Sequence, residues 1–189
     1  MKKLSKKQRT FKLLTHSARV LFEENGVENV TFDDIADHAN VCRTTVFNHF
    51  PSGKDLLVAI CNVEVNELIN HCAESSLQGL DLIKSLFGKL IDDTCLYPTV
   101  MTQLTTTYIS QKGVAEGAVS LVKAVEENLL LEHRSNPLKI LEKLQAEDAG
   151  TLIFGTYFGL VSRSHIFDRA FDAAGMKENF YDILDKIVF

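Results

Sequence analysis

Between Asp37 and Asp55 the chain contains no acidic residue, and the side chains filling that window are of types that bind polyanions and nucleobases. Arg43, Thr44, Thr45, Phe47, Asn48 and His49 stand close together, with Lys54 a few residues on. Arginine can engage guanine bidentately, asparagine can do the same with adenine, and threonine offers a hydroxyl to phosphates and a methyl to thymine. Arg43 and Asn48 are therefore the strongest candidates for reading a base sequence, and residue type leaves open which of them does so. Such side chains on an arbitrary surface helix would need no special explanation, so the elements that hold them carry the weight of the reading.

Phe11, Leu14, Ala18, Leu21 and Phe22 recur at helical spacing and predict a first helix ending near Gly26. Thr31 precedes "FDDIADHA", where Asp33 and Asp34 would occupy a first helical turn that favours carboxylates, so Thr31 is the expected N-cap of a short second helix. Ile35, Ala36 and Ala39 are expected to face inward, and Asn40 suits a tight turn that needs left-handed backbone. A third short helix is expected from about Cys42 to His49, burying Val46 and Phe50. Pro51-Ser52-Gly53 stops it, and Ser52 can cap a long fourth helix running from near Lys54 toward Cys72. Two short helices joined by a turn of about three or four residues, with a small side chain at Ala36 to let them approach, form a helix-turn-helix pattern. The exposed side of its second helix would then carry the donor-rich residues.

Charge distribution points the same way. The first nineteen residues hold seven basic side chains (Lys2, Lys3, Lys6, Lys7, Arg9, Lys12, Arg19) and no acid. Residues 1–60 are net +2 while residues 61–189 are net −7, within an overall formal charge of −5. A basic end on an acidic body suits binding a polyanion with one end while the rest stays in solution.

The chain's 189 residues, 46% of them hydrophobic, allow one larger domain or two small ones with an ordinary core. Three prolines, ten glycines and long unbroken helix-forming runs predict an all-α fold of about nine helices. Its expected parts are an N-terminal helix-turn-helix unit of three helices over residues 1–53 and a helical bundle over residues 54–189. No apolar stretch is long enough for a membrane span and no secretory signal pattern opens the chain, so a cytoplasmic location without membrane contact is expected. Cys42, Cys61, Cys72 and Cys95 lack ligand spacing and are expected to be reduced thiols, with no metal or other cofactor.

Catalytic patterns are missing. Glu64, Glu67 and His71 share a helical face but have the wrong spacing for a di-iron bundle and no second copy; Asp34 and His38 could clip a metal only as a solvated surface pair. No Ser-His-Asp order, phosphate loop or nucleotide fingerprint appears, so an enzyme is not expected.

The stretch "ARVLFEENGVENVTFDDIADHANVCRTTVFNHFPSGKDLLVAI" resembles the N-terminal DNA-binding domain of TetR-family transcriptional regulators: the "LF-E-G" end of the first helix, a threonine shortly before "DIA", then "V-x-x-x-T-x-F-x-HF" and "LL". The resemblance covers about residues 10–60. It implies that Cys42–His49 is a recognition helix, that Thr31 contacts a phosphate, and that Phe47 and His49 face the DNA backbone. Cys42 stands where the family usually has a capping serine, Phe47 where it usually has tyrosine, and Gly53 where a lysine often contacts phosphate, with Lys54 beside it as a substitute.

The family also implies a dimer interface and an effector pocket in the body. Thr151, Gly155, Gly159 and Ser162 form a small-residue stripe suited to close helix approach, and Phe180, Ile183, Leu184 and Ile187 an apolar stripe on the last helix. For the pocket, Tyr97, Met101, Thr105 and Tyr108 offer soft apolar surface with hydroxyls, joined by Phe87, Leu90 and Thr94 before them and Phe154, Tyr157 and Phe158 later. The expected function is a homodimeric regulator, most simply a repressor, that binds a palindromic operator in double-stranded DNA and is released by a small, mostly apolar effector. The alternative is a helical ligand-binding or adaptor protein in which specific DNA binding has been lost.

Overall fold

A computed structural model describes residues 5–110 and 115–189, apart from the side chains of residues 106, 108–110, 115 and 116. Among the described residues every regular element is helical. In chain order these are α1 (Lys6–Asn25), α2 (Phe32–His38), α3 (Arg43–His49), α4 (Gly53–Glu74), α5 (Gly79–Leu96), α6 (Pro98–Ser110), α7 (Ala115–Ser135), α8 (Ala146–Ile166) and α9 (Ala173–Val188), with short 3-10 turns at Val27–Asn29 and Lys139–Glu142. The described residues divide into two compact units: 5–64 with 97–110, and 65–96 with 115–189.

In the first unit, Ser5 caps α1 through a reciprocal pair of bonds with Gln8, and α1 ends at Gly26, whose φ of 80° suits a residue without a side chain. Leu14, Ala18 and Phe22 bury its apolar stripe together with Ile35, Ala36, Val46, Phe50, Leu56 and Ile60. Two polar ties add to this core. Arg19 pairs with the buried carboxylate of Glu64 on α4, and its guanidinium lies over the Tyr97 ring at 4.6 Å. Glu23 accepts hydrogen bonds from the Thr99 and Val100 amides at 3.3 and 3.0 Å, supplying the acceptors that the first turn of α6 lacks.

In the second unit α5, α8 and α9 contribute an aromatic cluster. Phe87 stacks on Phe180 at 4.7 Å and meets Phe154 edge-on at 5.1 Å, with Tyr157 beside it. The buried Tyr157 hydroxyl finds its partner in Thr94 Oγ1 at 2.7 Å, and burial pushes the phenol up to about 12. At the start of α5, Gly79 has a φ of 59° and its amide donates to Asn128 Oδ1 at 2.8 Å; a Cβ there would collide with the Glu132 carboxylate. Asp172 caps α9, and Lys84–Asp185 and Lys177–Asp92 pairs at 2.7 and 2.6 Å tie α9 to α5.

The last helix corrects one expectation. Phe180 and Leu184 are not surface residues awaiting a second chain: with Met176 and Val188 they form the buried stripe of α9, at 0% and 1% exposure. The period of the stripe was right, but the neighbours that bury it are α5 and α8 of the same chain. Ile183 and Ile187 lie half-buried at its margin. Phe180→Ala should therefore cost about 3–5 kcal/mol in urea unfolding followed by far-ultraviolet circular dichroism, and Ile187→Ala less than half of that. Equal losses from the two would contradict this packing.

Candidate nucleic-acid interface

The helix-turn-helix geometry is built from local chemistry. Thr31 caps α2 by accepting from the Asp34 amide at 3.2 Å, while Asp34 Oδ2 accepts from the Thr31 amide and hydroxyl at 2.8 and 2.6 Å. The Thr31 hydroxyl, followed by its amide, holds the Asp34 carboxyl below its ordinary range. The turn follows through Ala39–Cys42: Asn40 adopts a φ of 51°, and the Val41 amide reaches back to the Ala36 carbonyl at 2.9 Å. Ala36, in α2, is buried. On the far side, Val46 and Phe50 anchor α3 to the core, and Phe11 of α1 packs on Phe50 at 5.5 Å. Ser52 then caps α4 by accepting from the Asp55 amide at 3.2 Å.

Anchoring α3 through Val46 and Phe50 turns its other side outward. Arg43, Thr44, Phe47 and Asn48 are exposed, Phe47 at 43%, an unusual setting for a large apolar ring. Thr45 is half-buried, and His49 packs between solvent and the Phe11 and Phe50 rings. Thr31 and Lys54 are exposed at the starts of α2 and α4, and nothing lies within 4 Å of the Cβ position of Gly53. Lys6, Lys7, Arg9 and Lys12 are exposed along the first turns of α1; Lys2 and Lys3 lie outside the described residues.

Two features of this face were not read from the sequence. Asp33, assigned only to the helix dipole, reaches across to Arg43, with Nη1–Oδ2 at 2.6 Å. The same guanidinium lies 5.3 Å from the Phe47 ring centre, and Phe47 meets Phe32 edge-on at 4.9 Å. The second is Cys42. Its Sγ sits 3.0 Å from both the Thr44 and Thr45 hydroxyls. Those hydroxyls, with the Thr45 amide, lower the thiol to about 7, whereas burial, followed by the nearby Glu64 carboxylate, pushes Cys61 up to about 11.

The residues expected to line an effector site are distributed over both units. In the second, Phe87, Thr94 and Tyr157 are fully buried in the aromatic cluster, with Leu90, Phe154 and Phe158 half-buried at its edge. In the first, Met101 is buried, Thr105 bonds the Met101 carbonyl at 2.9 Å, and Tyr97 carries the Arg19 guanidinium. The Tyr108 side chain lies outside the described residues. On α8, the stripe of Thr151, Gly155, Gly159 and Ser162 is exposed throughout. Among the described residues no helix is long and apolar enough to cross a membrane, and no group of three or more His, Cys, Asp or Glu side chains is placed to hold a metal ion.

Residues 14–60 match the family model described as bacterial regulatory proteins, tetR family. The transposon Tn10 TetC protein of Escherichia coli is 28% identical over 85 residues, which make up 44% of this chain and 43% of that protein. The match thus spans less than half of the curated relative. The whole fold is similar to Bacillus subtilis FadR, solved in complex with stearoyl-CoA (TM-score 0.74, 16% identity, 95% of this chain and 100% of that one). It is also similar to Salmonella enterica GusR (TM-score 0.74, 17% identity, 99% of each chain). At these identities the likeness is one of fold.

The thiol chemistry gives a direct test of the α3 geometry. Because the thiolate is the reactive form, Cys42 should be alkylated by iodoacetamide at a rate that climbs between about pH 6 and 8 and then levels, while Cys61 stays unreactive throughout that range. Peptide mapping by mass spectrometry reads both sites. Thr44→Val should shift the Cys42 profile toward higher pH.

Proposed function

Because residues 14–60 match the family model of bacterial regulatory proteins, tetR family, we propose that this chain is a DNA-binding transcriptional regulator, acting as a homodimeric repressor on a palindromic operator and released by a small, mostly apolar effector. The observation that carries this reading is the outward face of α3: Arg43, Thr44, Phe47 and Asn48 exposed together on a helix whose opposite side is anchored by Val46 and Phe50. Such a helix fits the major groove, where donors reach base edges and the neighbouring helix starts reach phosphates. Lys54 and the basic first turns of α1 supply the flanking contacts, Thr31 joins them on exchanging its bond to Asp34 for one to phosphate, and Phe47 contributes apolar contact in place of a hydrogen bond. A dimer would set two such helices about 34–36 Å apart, in successive major grooves of one operator.

Dimerisation is supported by α8. Nothing lies within 4 Å of the Cβ positions of Gly155 or Gly159, so these glycines leave no neighbour of their own chain crowded. Leu152 and Ile166, exposed at 48% and 75% on the same helix, add apolar surface of the kind that a second copy covers. Ile183 and Ile187 of α9, half-buried, offer further apolar surface. The effector class is supported by the aromatic and apolar side chains of the body and by the likeness to FadR, which was solved with a ligand carrying a long acyl chain. Such a ligand would act by binding one conformation of the regulator better than the other.

Two measurements test the reading. Binding to a duplex covering the region upstream of the chain's own gene, compared with a scrambled duplex across a salt series, should show a specific complex whose log–log slope reports several neutralised phosphates. Arg43→Ala should weaken that complex by about 1–3 kcal/mol with little effect on the scrambled duplex. No change would favour the ligand-binding protein without sequence reading. Separately, Gly155→Leu combined with Gly159→Leu should shift the species in sedimentation velocity from dimer to monomer while thermal unfolding of the monomer is unchanged or raised, because leucine favours helix and has open space in its own chain.

A further inference from the structure

The two carboxylates that open α2 have different fates. Asp34 is consumed by the capping box with Thr31. Asp33 takes no part in it and instead reaches the first residue of α3, where its Oδ2 meets Arg43 Nη1 at 2.6 Å. Both side chains are more than half exposed, so the pair contributes little to folding. Its consequence lies on the face it occupies. The guanidinium is held by a carboxylate at one edge and lies over the Phe47 ring, which is itself fixed edge-on by Phe32.

We propose that Asp33 is a specificity-determining residue, one that positions the Arg43 guanidinium for a base edge and withholds its charge from the DNA backbone. The proposal rests on the DNA-binding reading above. An arginine has five N–H donors in a planar fork. With one nitrogen engaged by Asp33 and the plane fixed by Phe47, the remaining donors can still meet a guanine edge, an acceptor that carries no formal charge. A phosphate is a different partner. To neutralise one, Arg43 must abandon Asp33 and leave a bare carboxylate beside a polyanion, at the moment when docking excludes water and strengthens every charge interaction. Asp33 therefore taxes contacts that any DNA offers and spares the contact that only certain bases offer. Its ion pair with the first residue of α3 gives Asp33 a role that capping, performed by Asp34, leaves open.

The test uses the full-length chain as wild type, Asp33→Asn, Asp33→Glu, Arg43→Ala and the Asp33→Asn/Arg43→Ala double variant, each titrated across a salt series with the upstream duplex and a scrambled duplex of equal length. Asp33→Asn should bind the scrambled duplex about threefold to tenfold more tightly, with a log–log salt slope steeper by about one, since a freed arginine can now displace one more counterion. The ratio of specific to scrambled affinity should fall by a similar factor. Asp33→Glu, which keeps the charge, should retain the wild-type salt slope, and in the Arg43→Ala background the Asp33→Asn gain should vanish. An unchanged slope and ratio in Asp33→Asn overturns the proposal, as does an equal gain in the Arg43→Ala background, which would mark simple removal of a negative charge. If the wild-type chain binds neither duplex, the DNA-binding reading itself falls and this proposal with it; if it binds and only the Asp33 variants are silent, this proposal alone falls.

Discussion

In the first unit the distant helices α1 and α4 are joined by charge, through the part-buried pairing of Arg19 with the buried carboxylate of Glu64. A carboxylate taken out of water is costly unless a charge meets it, and removing one partner of such a pair costs about 3–5 kcal/mol in comparable proteins. Here the arginine is shared: the same guanidinium covers the Tyr97 ring, and one helical turn later Glu23 caps α6 through two amides. One side of α1 thus recognises two helices distant in the chain by charge, while its apolar residues pack on α2 and α3. Polar contacts of this kind impose a register that oily packing leaves loose, since a guanidinium and a carboxylate tolerate little displacement.

That rigid placement matters for the outward side of α3. A seven-residue helix is too short to be stable by itself. It persists because Val46 and Phe50 are buried, because Asn40 accepts left-handed backbone, and because the Val41 amide closes the turn on Ala36. The stabilising residues and the exposed residues lie on opposite sides, so Arg43, Thr44, Phe47 and Asn48 are left facing outward. Cys42 sits at the junction, its thiol held by two hydroxyls from the helix it opens.

In the second unit the division between core and surface follows packing partners more than residue type. Phe87, Tyr157 and Phe180 fill one cluster, and the hydroxyl that tyrosine brings into it is answered by Thr94. Gly155 and Gly159 of α8 face the other way. Leaving them uncovered costs helix propensity, and among the described residues nothing lies within 4 Å of their Cβ positions to offset it.

Much of this was legible in the residues alone. The caps at Thr31 and Ser52, the stop at Gly26, the left-handed Asn40 and the buried Ile35, Ala36, Val46 and Phe50 are set by interactions within a few residues, so spacing and side-chain type suffice to find them. The acid-free window and the donor set on α3 were legible for the same reason. What only the tertiary structure decided are contacts between residues far apart in the chain. Phe180 and Leu184 have the periodicity of any amphipathic stripe, and nothing in that period says whether the covering surface belongs to the same chain; α5 and α8 supply it. The Asp33–Arg43 pair, the Arg19–Glu64 pair and the Glu23 cap on α6 likewise depend on where separate helices come to rest. Local chemistry determined the helices and the face they present, while long-range packing decided which charges on that face are free and which are already answered.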